Sequence, residues 1–244
     1  MEVYAHTHTE RKRFTYYLWE FLMLFLAVFC GFLAENLREN KVEKEKGKQY
    51  IQSFYDDLHL NITILSRIID FNKQKIITLD DMSSCYDDLL KNWKSSSCLV
   101  QLVKNSSSFI TFSITDGTIE QLKNAGGYRL LKKEDRDSII FYDIDIRNYK
   151  NAESTAFQGS QDIVRNNFSL LLDYRAYKLL NPASPDSLVP APLLFSANKE
   201  LLNKFFNDLL RYKRNISWQS DWVSFLKERT AGLIEYFKAK YQFQ

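Results

Sequence analysis

Apolar positions in this chain recur every three or four residues over long stretches, the spacing of amphipathic helices rather than strands. From Tyr50 onward, Ile51, Phe54, Leu58, Ile62, Leu65, Ile69, Ile76 and Leu79 follow it. Asn72 fills one gap, and Tyr86 and Leu90 extend the stripe. The pattern predicts a first long helix over about 36–94, with Gly47 as the one interruption and candidate hinge. A second face predicts a helix over about 133–180, weakened at Gly159. It comprises Ile139 or Ile140, Ile146, Tyr149, Ala152, Ala156, Ile163, Phe168, Leu171 and Leu172. A third, Phe205, Leu209, Tyr212, Ile216, Val223, Leu226, Leu233 and Phe237, predicts a helix over about 197–241 with Ser196 as its cap.

The intervals are read from turn chemistry. A short helix over about 116–125 opens at Thr115 or Asp116 and ends at Gly126-Gly127, where glycine accepts the left-handed conformation. The serine runs Ser95–Ser97 and Ser106–Ser108 bracket a stretch read as irregular. Phe109–Ile114 has strand character but no second strand to pair with, so it reads as an extended, packed segment. All four prolines fall between Pro182 and Pro192, marking a connector over 181–195 across one end of a bundle.

The N-terminus carries a different signal. Phe14 to Ala34 is apolar apart from Glu20, and at ~1.5 Å per residue it spans ~31 Å, the thickness of a bilayer's hydrocarbon core. Tyr16, Tyr17 and Trp19 sit at one end, where amphipathic rings favour the interface. A cleaved signal peptide and a buried helix are the competing readings. Gly31-Phe32-Leu33-Ala34-Glu35 is no small-x-small cleavage site, and the segment runs directly into the helix-forming Glu35–Lys48. The favoured organisation is therefore a basic tail (1–13), a transmembrane helix (14–35) and an extramembrane bundle (36–244). The fold class is all-α: an N-terminal transmembrane helix continuing into an elongated antiparallel bundle of three long helices plus one short one. For orientation, Arg11, Lys12 and Arg13 favour a cytoplasmic N-terminus, against the larger count of Lys and Arg that follows the span.

Composition narrows the function classes. Gly and Pro number only 7 and 4 among 244 residues, which disfavours turn-rich sandwiches and barrels. A net charge of +3 does not suggest nucleic-acid binding. Of the three histidines, His6 and His8 lie in the tail and His59 is alone in the bundle, so neither a metal centre nor a histidine-assisted nucleophile is expected. No glycine-rich phosphate loop is present, and no cofactor is expected. Glu20 is the candidate functional residue, since ionisable groups at membrane depth are costly and often functional. The plainer reading places it ~9 Å inside the boundary, within reach of headgroups or a neighbouring chain. Cys85 and Cys98 are the candidate disulfide in an oxidising compartment, provided their Cα atoms approach within ~7 Å; in the cytoplasm they stay thiols. Trp218 and Trp222, one turn apart, fit bundle packing better than a ligand face.

Three stretches together resemble an uncharacterised family of single-span inner-membrane helical proteins from Bacteroidetes-type bacteria. The first is Arg11-Lys12-Arg13-Phe14, then Glu20, then Ala34-Glu35-Asn36-Leu37-Arg38-Glu39-Asn40-Lys41. The second is Tyr50-Ile51-Gln52-Ser53-Phe54-Tyr55-Asp56-Asp57-Leu58-His59-Leu60-Asn61, and the third Thr118–Leu131 with its Gly126-Gly127. The chain departs from that pattern at Trp19 and at the exit from the span. The resemblance implies a membrane-anchored helical protein and carries no assigned activity. The expected role is a non-enzymatic scaffold or accessory subunit in the bacterial inner membrane, with the bundle periplasmic and a protein partner or a second copy bound. The alternatives are a sensor-like ligand-binding bundle, recognisable by a closed cavity of mixed polarity, and an energy-coupling subunit using Glu20.

Overall fold

The computed structural model describes residues 14–94, 97–180 and 193–243; the basic tail and the proline-bearing part of the connector lie outside the described residues. The fold is all-α, 87% helical and without strands among the described residues. Helix α1 (Phe14–Asp80) is followed by α2 (Met82–Lys91), α3 (Ser97–Ser107), α4 (Gly117–Asn124) and a 3₁₀ turn (Gly127–Leu130). Then come α5 (Lys133–Ala152), a π turn (Glu153–Phe157), α6 (Gln158–Leu171), α7 (Tyr174–Leu179) and α8 (Lys199–Tyr241).

Helix α1 has two regimes. From Phe14 to Lys46 every residue is exposed, and Gly47 is the first buried one. The exposed part spans roughly 50 Å, and its apolar beginning is long and apolar enough to cross a membrane. The charged remainder forms a stalk, with Arg38 paired to Glu35 at 2.5 Å. Gly47 is not a hinge. The helix runs through it, and a Cβ there would lie 2.5 Å from the Leu130 carbonyl oxygen, so glycine permits the 3₁₀ turn to press against α1.

Beyond Gly47, α1 buries Tyr55 and, along one stripe, Ile51, Phe54, Leu58, Asn61, Leu65, Ile68, Asn72, Lys75 and Leu79. These steps alternate strictly between three and four residues, a 3.5-residue repeat. The packed stripe therefore takes Asn61, Ile68 and Lys75 where apolarity alone suggested Ile62, Ile69 and Ile76, which are only half-buried. Helix α8 packs antiparallel along it: Phe54 meets Phe237 at 5.8 Å, Asn72 meets Gln219, and Tyr86 of α2 meets Phe206 at 5.1 Å. The α5–α6 rod also runs antiparallel to α8, with Tyr142 opposite Thr230 and Asn167 opposite Asp208.

The second long helix is not uniform. Its buried face reads Ile139, Tyr142, Ile146 and Tyr149 before the π turn, Phe157 at the end of the turn, then Val164, Phe168 and Leu171 after it. The extra residue of the π turn shifts the register by one, which is why Val164 is buried and Ile163 exposed. The irregularity sits at 153–157, not at Gly159, whose surroundings are open. The rod stops at Leu171 rather than near 180. Leu172 pairs with Leu194 in an isolated antiparallel bridge, and Asp173 caps α7 by accepting from Arg175 N.

Three further expectations are corrected. The stretch between the serine runs is helix α3, organised by the buried Leu99, Val100, Leu102 and Val103. The first long helix ends in two pieces, with a turn at Asp81 and the end of α2 at Lys91. The cap of α8 is Asn198 rather than Ser196; its Oδ1 accepts from Glu200 N and Leu201 N.

Residues 109–116 run extended between α3 and α4. Side chains of the neighbouring helices serve its backbone in place of a second strand. Asn61 donates to Thr115 O at 2.9 Å and accepts from Thr115 N at 2.6 Å. Glu153 accepts from Phe112 N, and Asp57 from Thr118 N at the start of α4. This accounts for a buried Asn61 on the stripe: an amide offers both a donor and an acceptor. The following turn uses Gly126 at φ 63°, a left-handed conformation that side chains disfavour.

The bundle holds two hydrophobic cores. The proximal one joins Ile51–Ile68 of α1, Ile139–Tyr149 of α5, and Val223–Phe237 of α8. The distal one joins Leu79, α2, α3, Val164–Leu172 and Leu202–Ile216.

Candidate functional site

Between the two cores lies a polar layer. Helix α1 contributes Asn72 and Lys75, α8 contributes Tyr212 and Gln219, and α5 and α6 contribute Tyr149, Ser160 and Gln161. All seven are buried. Burying polar groups costs free energy unless they are hydrogen-bonded, and this layer is knit accordingly. Asn72 Nδ2 donates to Gln219 Oε1 at 3.0 Å, and Gln219 Nε2 donates to Tyr149 Oη at 2.9 Å. Burial pushes the Tyr149 and Tyr212 hydroxyls well above the ordinary phenol range, so both stay protonated while accepting from Gln219 and Lys75.

Lys75 is the unusual member, at 5% exposure. Its Nζ donates to Ser108 O and, at 2.6 Å, to Tyr212 Oη, and lies over the rings of Phe71 and Tyr212 at 5.3 and 5.1 Å. Among the described residues it has no carboxylate partner. Ser108 follows the last residue of α3, and Arg165 donates to the adjacent Ser107 O at 3.2 Å. Two cations thus face the negative end of a helix dipole. That interaction is worth about 0.3–2 kcal/mol, whereas removing an ammonium from water costs several kcal/mol. Burial, aided by the Arg165 charge, accordingly lowers the Lys75 pKa to about 7.

A cavity of about 60 Å³ opens beside this layer. Lys75, Asn72 and Gln219 line one side, the π turn brings Glu153 and Phe157, and the extended segment closes it with Phe109, Ile110 and Thr111. Burial holds the Glu153 carboxyl above its ordinary pKa, against the opposing hydrogen bond from Phe112 N and the charge of Lys150. At on the order of 10–15 Å³ per water, the space suits a few waters or one small molecule.

The other singled-out residues lie elsewhere. Glu20 is exposed on α1, in a shallow groove with Tyr16, Trp19, Met23 and Leu24, and has no ion-pair partner among the described residues. Cys85 and Cys98 are joined in a disulfide, with Cα atoms 5.6 Å apart, tying α2 to the first turn of α3. His59 is exposed and packs edge-on against Tyr55. Trp218 and Trp222 stand 6.0 Å apart, Trp218 against Phe157 and Trp222 against Tyr149. Of the residues forming the polar layer, only Asn72 stood out in the sequence as polar on an apolar stripe. Lys75 and Gln219 carried the same signal, a polar residue at a stripe position, and were missed because each lies beside an apolar alternative or in a gap of the stripe. Comparison with family models, with curated proteins and with solved structures finds no match.

Proposed function

We propose that this protein is a single-pass membrane anchor for a non-enzymatic helical bundle, which serves as a scaffold or accessory subunit for a protein partner. The observation that carries this reading is the continuity of α1. One helix of 67 residues passes from a fully exposed apolar stretch, through a charged stalk, into the centre of the bundle. Exposed apolar surface of that extent marks a membrane or partner interface. In the proposed arrangement the membrane is the bacterial inner membrane, the N-terminus is cytoplasmic and the bundle is periplasmic. A periplasmic bundle agrees with the Cys85–Cys98 disulfide, since bridges persist in oxidising compartments.

The test is alkaline extraction of membranes combined with labelling of intact cells by an impermeant maleimide. In a Cys30→Ser background the disulfide leaves no reactive thiol, and single cysteines are introduced at Thr7 and at the exposed Ser217. The protein is expected to stay in the extracted membranes and to label at position 217 but not 7. Release from the membranes would overturn the anchor; labelling at position 7 alone would invert the orientation.

A second reading, a ligand-sensing bundle that signals through a partner, is favoured by one observation: a cavity of mixed polarity lies between the long helices, one of which runs on into the apolar stretch.

A further inference from the structure

We infer that the cavity between the two cores is a binding site for a small monocarboxylate, seated with its carboxylate on the Lys75 ammonium. The inference goes beyond an anchoring role and stands whether or not α1 crosses a membrane.

Four observations converge on it. The first is vacancy of the donor: an ammonium has three N–H groups, and the two recorded acceptors of Lys75, Ser108 O and Tyr212 Oη, are both neutral. The second is charge. The ionisable groups around Lys75 are Arg165 on α6, Tyr212 on α8, Tyr149 on α5 and Glu153 on the π turn, while α1 and the extended segment add none at the cavity. Glu153 is engaged with Phe112 N and forms no ion pair with Lys75. Arg165, held over the Phe109 ring at 5.2 Å, has its own carboxylate neighbour in Asp162 at 3.9 Å. Among the described residues Lys75 is the cation here without one, and a monoanion supplies it.

The third observation is size. The space of about 60 Å³ exceeds the roughly 10–15 Å³ that admits a single water and is small enough to limit a guest to an acid of two or three carbons. Its lining is divided to suit such a molecule, with Lys75, Asn72, Gln161 and Gln219 for the carboxylate end and Phe71, Phe109 and Phe157 for a short apolar tail. The fourth is the π turn at the cavity wall, a departure from α geometry of the kind that recurs at functional sites. It places Phe157 where a regular helix would turn the preceding position, Ala156, inward.

Because only the protonated amine holds an anion, binding is coupled to proton uptake. With the free-site pKa of Lys75 at about 7, the apparent affinity is expected to fall about tenfold from pH 6 to pH 8.

The experiment uses the full chain in detergent micelles. Carbon-13-labelled acetate is titrated at constant ionic strength, its line broadening is followed by NMR, and acetamide serves as the neutral isostere. The expected result is saturable broadening with acetate, none with acetamide, the stated weakening between pH 6 and pH 8, and loss of the effect in Lys75→Met. Absence of saturable acetate binding, an equal response to acetamide, pH-independent binding, or undiminished binding in a folded Lys75→Met protein would each overturn the site. If Lys75→Met does not fold, the acetamide and pH arms on the unaltered protein still decide.

Discussion

The two cores of the bundle are held together by different means. The proximal core is built from long stretches of α1 and α5 and the C-terminal half of α8. Its side chains interlock through Phe54 with Tyr142 and Phe237, and Phe112 with Tyr149, at 4.0–5.9 Å. The distal core gathers short pieces, α2, α3 and α7, around the ends of α6 and α8. Short helices are marginal by themselves, and each here has a local fastening. Cys85–Cys98 ties α2 to α3, Arg165 and Lys75 hold the carbonyls at the end of α3, and the Leu172–Leu194 bridge and Asp173 set α7. Stability that comes from a long continuous stripe needs few special residues; stability assembled from fragments depends on them one by one.

The sharpest way to break the proximal core is to empty it. Phe54 is 1% exposed and contacts aromatic rings on two other helices. Phe54→Ala is expected to cost about 3–5 kcal/mol, measured by denaturant unfolding in detergent. A loss well under ~1 kcal/mol would mean that this core is not the main source of stability. The distal core should respond instead to its staple. The bridged cysteines are 13 residues apart, and closing a loop near that length is worth up to ~3 kcal/mol. Reduction, or Cys98→Ser, should raise amide exchange in α2 and α3 while leaving the middle of α1 and the C-terminal half of α8 protected. Uniform loss of protection would show that the two cores unfold as one unit.

This contrast also marks what could be read from the sequence. The long helices were legible because apolar positions repeat over several turns. The distal fragments were not, because serine runs around α3 outweighed the four apolar residues that bury it. Polar residues at stripe positions misled in the same way. Asn61 and Lys75 keep the 3.5-residue repeat of α1, but apolarity pointed to Ile62 and Ile76 beside them. Nothing in the local sequence announced the register shift at Glu153–Phe157, since a π turn is fixed by what the two flanking helices must face. Asn61 and Glu153 meet the extended segment, and Asp57 the start of α4, across 41 to 61 residues of sequence, a pairing that only the fold creates.

The base of the proximal core is closed by a charge rather than by packing. Asp135 is fully buried; it accepts from Lys240 at 2.6 Å, Tyr241 at 2.5 Å and Tyr236 at 2.8 Å. Burial would raise its pKa, but the three hydrogen bonds and the Lys240 charge outweigh that and hold the carboxyl below the ordinary range. Such a group adds stability above its unfolded pKa of about 4 and loses it as pH falls through the lower folded value. Asp135→Asn is expected to cost about 2 kcal/mol at neutral pH and to flatten the acid side of a stability–pH profile. An unchanged acid limb would assign the pH response to other carboxylates.

The smallest expected effect returns to the distal core and to the start of α8. Asn198 satisfies two backbone N–H groups of the first turn, and the next residues inward, Leu202, Phe205 and Phe206, are distal-core members. Asn198→Ala should cost about 1 kcal/mol. If the distal core depends on separate fastenings, that loss should appear as faster amide exchange near Leu202–Phe206 and add to the loss from reducing the disulfide, because the two sites fasten different helices. A double-mutant cycle between Asn198→Ala and Cys98→Ser measures this directly. A coupling energy near zero identifies independent fastenings, whereas strong coupling means that α2, α3 and the head of α8 order together and that the distal core is as cooperative as the proximal one.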